Sequence, residues 1–325
     1  MMQRRRLTTD FQVSAIGLGC MGMSEFYGPR DDAQSLRVLH KAAELGVTFL
    51  DTADMYGPHH NEELICRFLR ETAVPMQVAT KFGIVRNPGE YRRSIDNSPD
   101  YARRCVEGSL RRLGVERLDL FYVHRIDRSR DIQDTMGGLS RLVGEGKIAR
   151  IGLCEVSAAT LRRAHAIHPV TAVQSEYSLW SREVEAEVLP ACRELGIGFV
   201  AYSPLGRGFL TGRVQGFAKG DFRASLPRFQ AGAVKVNRRI ADCIGNIAVR
   251  KGCTGAQLAL AWLLAQGGDV VPIPGTVRPD YLRDNAAAVD LHLTADDLTE
   301  IERSLAALPV IGARYTDEGM KGVDA

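Results

Sequence analysis

Short apolar runs rich in Val, Ile and Phe alternate with longer segments of helical spacing along nearly the whole chain, and this alternation narrows the fold more than any other feature. The runs predicted as strands cover 15–19, 47–51, 77–81, 118–124, 148–153, 172–175, 198–202 and 270–273. Amphipathic segments lie near 31–45, 61–71, 99–113, 131–145, 157–167, 183–195, 254–266 and 279–288. Boundary residues agree: Ser98-Pro99 opens the third helix and Ser157 the fifth, while Gly46, Gly114, Gly146 and Gly196 stop helices. Eight strand-helix units in 325 residues predict an α/β fold, a (β/α)8 TIM barrel. A doubly wound sheet satisfies the same alternation, because strand order is not written in the sequence. No linker or low-complexity tract divides the chain, so one barrel domain is expected over 1–325.

Three pieces fall outside the repeat. Residues 7–13 are placed to form an N-terminal β-hairpin plugging the barrel's N-terminal end. The glycine-rich connection 203–235 is long enough to read as a functional loop. Segments 236–251 and 294–308 read as two extra helices.

Charge and cysteine usage exclude several classes. With 42 basic and 39 acidic residues, net +3, and no long basic run beyond Arg4 to Arg6, neither nucleic acid nor an anionic membrane is an expected partner. Seven scattered cysteines, never in a CxxC pair, imply reduced thiols rather than a disulfide frame or metal site. The start MMQRRR leads into polar LTTD rather than an apolar core, and the longest apolar run, 258–265, is well short of the roughly 20 residues a span requires. A cytoplasmic protein is therefore expected, with its oligomeric state open.

The chemistry gathers at strand ends. The second run ends on Asp51, with Tyr56 in the Gly-Pro loop that follows; the third ends on Lys81 and the fourth on His124. In a barrel, C-terminal strand ends converge on one face, so these four side chains should meet. A phenol has an ordinary pKa of about 10. An ammonium beside it stabilises phenolate, and a carboxylate beside the ammonium keeps that group charged and oriented. Singly, each has an ordinary reading as a turn cap, surface ion pair, packed tyrosine or core histidine. Together they make a proton donor with its support.

Beyond the tetrad, the ordered motifs GLGCMGM at 17–23, DTADMYG at 51–57, FYVH at 121–124, QSEYS at 174–178, YSPLGRGFLTG at 202–212 and PIPGTVRPDYLRDN at 272–285 resemble the aldo-keto reductases over nearly the whole chain. The wording is closest to the bacterial and fungal branch with pyridoxal-reductase-like and potassium-channel-β-subunit-like members. The resemblance implies an NADPH-dependent reduction of a small-molecule aldehyde or ketone. In it Tyr56 protonates the carbonyl oxygen, Lys81 and Asp51 tune Tyr56, and His124 orients the carbonyl. It also implies a cofactor cleft lined by Gly19, Cys20, Met21 and Asp51, with Tyr202 stacked on the nicotinamide and Gln174 on its carboxamide. Ser203, Pro204, Leu205, Gly206, Arg207 and Gly208 would cover the pyrophosphate; Ile273, Gly275, Thr276, Arg278, Asp284 and Asn285 would hold the adenosine end. The chain lacks GxGxxG, as a barrel cofactor site should.

Two departures from the family pattern stand out. Cys154-Glu155 replaces the Ser-Asn pair that holds the carboxamide in many members, so these two are expected at a weakened or rebuilt clamp, with a structural carboxylate in a strand-end turn as the other reading of Glu155. Gly275 and Tyr281 replace a lysine and an arginine, so the adenosine phosphate falls mainly to Arg278, whose guanidinium suits it. Residues flanking the tetrad, Met23, Phe26, Tyr27, Met55, Phe82, Arg125, Ile126 and Trp180, are candidates for a pocket that takes a flat or apolar carbonyl. Two other readings compete. Lys81 as a Schiff-base nucleophile requires a neutral amine, which Asp51 disfavours. A nicotinamide-binding regulatory subunit with incidental turnover fits the channel-subunit likeness.

Overall fold

The computed structural model describes residues 2–218 and 220–324. The chain opens with an antiparallel hairpin, β1 (Arg4–Thr8) and β2 (Phe11–Ser14). Parallel strands β3 (Leu18–Gly19), β4 (Phe49–Asp51) and β5 (Gln77–Phe82) follow, then a small antiparallel pair, β6 (Ile84–Val85) and β7 (Ser94–Ile95). The remaining parallel strands are β8 (Leu120–Val123), β9 (Ile151–Cys154), β10 (Val170–Glu176), β11 (Gly198–Tyr202) and β12 (Val270–Pro272). The eight-stranded sheet runs β3-β4-β5-β8-β9-β10-β11-β12, in chain order throughout. A doubly wound sheet reverses its order at a switch point; this one does not, and it closes. The Gly17 N–H donates to the Pro272 carbonyl at 3.0 Å, the Gly19 N–H donates to that of Pro274 at 3.3 Å, and Gly19 bridges Gly275. A Cβ on Gly19 would stand 2.9 Å from the Ile273 carbonyl oxygen, and one on Gly275 3.0 Å from that of Gly19, so glycine is needed on both sides of this seam.

Around the barrel lie α1 (Asp32–Glu44), α2 (His60–Glu71), α3 (Pro99–Leu113), α4 (Ile132–Gly144), α5 (Ala158–Ile167) and α6 (Val188–Leu195). Then come α7 (Ala231–Arg250), α8 (Gly255–Ala265), α9 (Pro279–Ala286) and α10 (Ala295–Ala306), with a short α11 (Asp317–Met320) near the C-terminus. Helices α7 and α10 are the two additions to the repeat. Ser98 and Ser157 accept from Tyr101 N–H and Thr160 N–H at the starts of α3 and α5. Such a cap typically contributes about 1 kcal/mol.

Strand alternation decides what reaches the barrel interior. Phe49, Ala79, Leu120, Tyr122, Cys154, Ala172, Val200 and Val271 face inward, and Leu7, Phe11 and Val13 of the hairpin close the bottom against them. Burying each large apolar hairpin side chain is worth about 1.5–3 kcal/mol. Asp51 and Lys81 lie two residues beyond Phe49 and Ala79 on the same inward faces, and His124 two beyond Tyr122, so they stand one layer above this core. Among the described residues, no helix is long and apolar enough to cross a membrane, and no cluster of three or more His, Cys, Asp or Glu is placed to hold a metal.

Candidate active site

The four strand-end residues meet as the barrel dictates. Lys81 is fully buried; its Nζ donates to Asp51 Oδ1, to the Thr52 carbonyl at 2.8 Å and to the Tyr56 hydroxyl at 3.3 Å. The second Asp51 oxygen accepts from Gln174 Nε2 at 2.7 Å. The Tyr56 and His124 rings meet edge to face, with centroids 5.8 Å apart.

Burial opposes the Lys81 charge, yet the Asp51 carboxylate and Tyr56 raise its pKa on balance, so the ammonium persists. Burial pushes the Asp51 carboxyl up, while Lys81 and Gln174 pull it back. Burial also raises the Tyr56 phenol above its ordinary value, and Lys81 opposes this without overturning it. The net effect of the ammonium is therefore to moderate a rise rather than produce a low value. His124 sits well below the usual histidine value because of burial first and then Lys81, Arg125, Arg93 and Arg86; it is neutral at pH 7, and its Nδ1 has no partner among the described residues.

These groups form one end of a cleft of about 450 Å³. Asp51, Tyr56 and His124 line it, and Lys81 stands behind Tyr56. Of the residues the sequence assigned to a cofactor, Gly19, Met21, Gln174, Tyr202, Ser203, Pro204, Leu205, Arg207 and Gly208 line it. So do Ile273, Gly275, Thr276, Arg278, Asp284 and Asn285 toward the other end. Of the substrate candidates, Phe26, Tyr27, Met55 and Arg125 line it.

Besides Lys81, eight assigned residues stand outside the cleft wall, each held elsewhere by packing or pairing. Phe82 follows Lys81 on β5, so alternation turns it outward, where it stacks on Phe121 at 4.9 Å. Met23 and Ile126 belong to the main core between barrel and helices. Cys20 points into the same core, with its N–H bonded to the Asp51 carbonyl and its own carbonyl accepting from Asn61. Cys154 is part of the interior barrel layer. Trp180 stacks on Phe209 at 5.3 Å, and Gly206 backs onto it: a Cβ there would lie 2.7 Å from the indole. The loop above Trp180 is left-handed at Ser203, Gly206, Arg207 and Gly208, with φ of 50°, 54°, 57° and 88°.

Glu155 takes the structural one of its two readings rather than the clamp. It is wholly buried and left-handed, with φ 50°. Its Oε1 accepts from the Tyr202 hydroxyl at 2.6 Å, Glu176 N–H at 3.0 Å and Arg314 Nη1 at 3.1 Å; Oε2 accepts from Arg314 Nη2 at 3.1 Å. Its carbonyl accepts from Asp324 N–H at 2.8 Å. Glu155 is thus an anchor for the C-terminal segment, with no face on the cleft. That segment also takes hydrogen bonds from Ile126 N–H to the Gly322 carbonyl at 2.9 Å and from Arg93 Nη2 to that of Gly319 at 2.5 Å. It brings Tyr315 into the cleft wall, hydroxyl to hydroxyl with Tyr202 at 2.9 Å.

Sequence reading missed Tyr315, and also Arg93 and Tyr91 beside β7, Ile84 of β6, and Phe222 and Arg213 in the long connection. Arg213 matters at the far end. Its guanidinium lies 5.0 Å from the Tyr281 ring centre and that of Arg278 lies 4.3 Å from it; Arg278 also pairs with exposed Asp280 at 2.9 Å. Tyr281, which stands where many family members have an arginine, is a platform for two of them.

Comparison with known proteins agrees with this geometry. Residues 15–306 match the sequence pattern of the Aldo/keto reductase family. The chain is 47% identical over 312 residues to "Probable aldo-keto reductase 1" of Glycine max, covering 95% of this chain and 90% of that one. Among solved structures, a glycerol dehydrogenase from Gluconobacter oxydans superposes with TM-score 0.87 at 28% identity, covering 95% of this chain and 97% of that one. An aldo/keto reductase from Klebsiella pneumoniae in complex with NADP and acetate gives TM-score 0.73 at 28% identity, covering 97% and 99%. With the family pattern over most of its length and a close relative on top of it, this chain belongs to the aldo/keto reductase family, oxidoreductases that carry out nicotinamide-dependent carbonyl reduction.

Proposed function

We propose that the chain reduces a small-molecule aldehyde or ketone to the alcohol with NADPH, Tyr56 delivering the proton to the carbonyl oxygen. The observation that carries this reading is the Tyr56 hydroxyl, at the cleft wall, 3.3 Å from an ammonium that Asp51 and Thr52 hold in place. Its raised pKa keeps the proton on the phenol until a developing alkoxide takes it. Lys81 then stabilises the phenolate left behind, and neutral His124 is a hydrogen-bond donor to the same oxygen. Asp51 acts through Lys81, and its bond from Gln174 fixes that amide at the cleft wall.

The residues present suit a nicotinamide dinucleotide. Gln174 and the Tyr202 ring, held by its hydroxyl bonds to Glu155 and Tyr315, would take the nicotinamide end. The left-handed loop 203–208 would cover the pyrophosphate, and Arg213 and Arg278 on Tyr281 would meet the adenosine phosphate that separates NADPH from NADH. When bound, the reduced nicotinamide supplies the hydride that the carbonyl carbon accepts. The seven free cysteines suit a reducing compartment, and the cytoplasm is the assigned one.

Tyr56→Phe tests the reading. Turnover should fall by about 10²–10⁴-fold while NADPH binding is kept, since the hydroxyl supplies general acid help. Carbonyl reduction near the wild-type rate in purified Tyr56→Phe would overturn it.

A further inference from the structure

Four arginines surround the catalytic end of the cleft: Arg93, Arg125, Arg207 and Arg223. Arg223 is paired with Asp221 at 2.7 Å, and Arg207 has Glu176 at 3.9 Å. Arg93 and Arg125 have no carboxylate at ion-pair distance among the described residues. Arg125 is only 5% exposed, yet its guanidinium makes one protein hydrogen bond, Nη1 to the His124 carbonyl at 2.7 Å, and its Nε has no partner. Arg93 is partly buried: Nη2 donates to the Gly319 carbonyl, Nε is unpartnered, and the Glu318 carboxylate takes its backbone N–H at 2.9 Å rather than its guanidinium. A guanidinium carries five N–H donors, so most of these ten are uncommitted.

An unpaired buried charge is costly, and proteins keep one where a ligand will answer it. Burial opposes the Arg125 charge, yet Tyr202, Tyr315 and then Glu155 favour it on balance; Glu155 is itself held bidentately by Arg314, so Arg125 stays a cation with no carboxylate of its own. The Tyr315 ring, 5.9 Å from the Arg125 guanidinium, offers only a π face. Burial and then the neighbouring Arg125 charge disfavour the Arg93 cation, so an anion lying between the two guanidinium groups would relieve both. Cofactor phosphate does not meet this need, because the phosphate end of the cleft has its own cations in Arg213 and Arg278. Arg125 instead follows His124 directly in the chain, and the same cleft is lined by apolar or aromatic Phe26, Ile84, Tyr91 and Phe222, with the Tyr91 ring 5.5 Å from the Arg93 guanidinium.

We propose that Arg93 and Arg125 form an anion subsite, and that the carbonyl substrate carries an oxyanionic group, carboxylate or phosphoryl, on the end remote from its reacting carbon. The inference rests on the carbonyl-reductase reading above, and it names the substrate class. A carboxylate matches the fork of a guanidinium through paired charged hydrogen bonds.

The test is steady-state kinetics with NADPH on para-formylbenzoate, para-formylphenyl phosphate and neutral para-methylbenzaldehyde, in wild type, Arg93→Gln and Arg125→Gln. In wild type, kcat/KM for at least one anionic aldehyde should exceed that of the neutral one by about tenfold or more, and whichever anion wins identifies the group. That ratio should drop by about tenfold in each variant. The drop is a comparison between proteins, so the intrinsic reactivity of the aldehydes cancels from it. If Arg125→Gln fails to fold, Arg93→Gln, at the less buried position, decides. A wild-type ratio at or below one for both anions, or a ratio that neither variant changes, overturns the subsite. If no aldehyde of either kind is reduced, the carbonyl-reductase reading fails separately. Calorimetric titration then judges the subsite: tighter binding of para-hydroxymethylbenzoate than of para-methylbenzyl alcohol, lost in Arg93→Gln, upholds it, and equal binding overturns it.

Discussion

Replacing Arg314 with methionine tests the reassignment of Glu155 from cofactor clamp to tail anchor. The change removes a bidentate partner from a carboxylate with a wholly buried side chain, while the Arg314 side chain is 11% exposed. Removing one member of a buried ion pair costs about 3–5 kcal/mol; the residual exposure of Arg314 favours the lower edge, about 3 kcal/mol. The loss should depend on pH. Burial alone would raise the Glu155 carboxyl, but Arg314 and then Arg125 hold it below its usual value. A depressed carboxyl contributes stability above its unfolded value of about 4.3, and that contribution fades as pH falls through the lower folded value. Without Arg314 the folded value rises, so Glu155 takes up a proton at higher pH than in wild type. The deficit of Arg314→Met is therefore full at neutral pH and shrinks in acid. Urea unfolding followed by far-ultraviolet circular dichroism at neutral and mildly acidic pH measures it, with Glu155→Gln and the double variant completing a thermodynamic cycle. A deficit under about 1 kcal/mol at neutral pH, far below the cost of breaking a buried pair, would refute the reasoning. So would Glu155→Gln weakening NADPH binding with no loss of stability, the signature of a carboxamide clamp.

Three further outcomes are expected. His124 lies well below the ordinary value of about 6.5 and Tyr56 above about 10, so kcat should be flat between those limits, falling in acid as His124 gains a proton and in alkali as Tyr56 loses one; a bell centred near neutrality in a buffered kcat profile would contradict it. Gly206→Ala puts a Cβ 2.7 Å from the Trp180 ring at a φ of 54°, so the loop 203–208 should loosen, and NADPH binding followed by tryptophan fluorescence should weaken by about tenfold; unchanged binding would refute the loop's role. Arg278→Ala and Arg213→Ala should each raise the KM for NADPH by about tenfold and leave that for NADH nearly unchanged; equal losses for both cofactors would remove the preference assigned to these cations.

The barrel was legible because period-two and helical spacing are local properties of a chain, and strand-end placement followed from the fold. Asp51, Tyr56, Lys81 and His124 could therefore be brought together from sequence. The failures are equally physical. Phe82 was assigned to the pocket for its nearness to Lys81, whereas alternation sends neighbours on a strand to opposite faces. That error was avoidable. Glu155 was not decipherable in the same way, since its partner Arg314 lies 159 positions along, in a C-terminal segment with no periodic signal. Tyr315 and Arg93 were missed for the same reason: both reach the cleft through tail and hairpin contacts that local patterns do not encode.

The seam between β3 and β12 carries a last consequence. Elsewhere neighbouring strands share a ladder of two or more residue pairs, shifted once between β9 and β10, but the first and last are joined through two amides, a lone bridge and two glycines. Gly19 and Gly275, on either side of that join, both line the cleft. A ligand lying along the cleft would therefore touch both edges of the join, and binding only the closed ring it would add its own free energy to that closure.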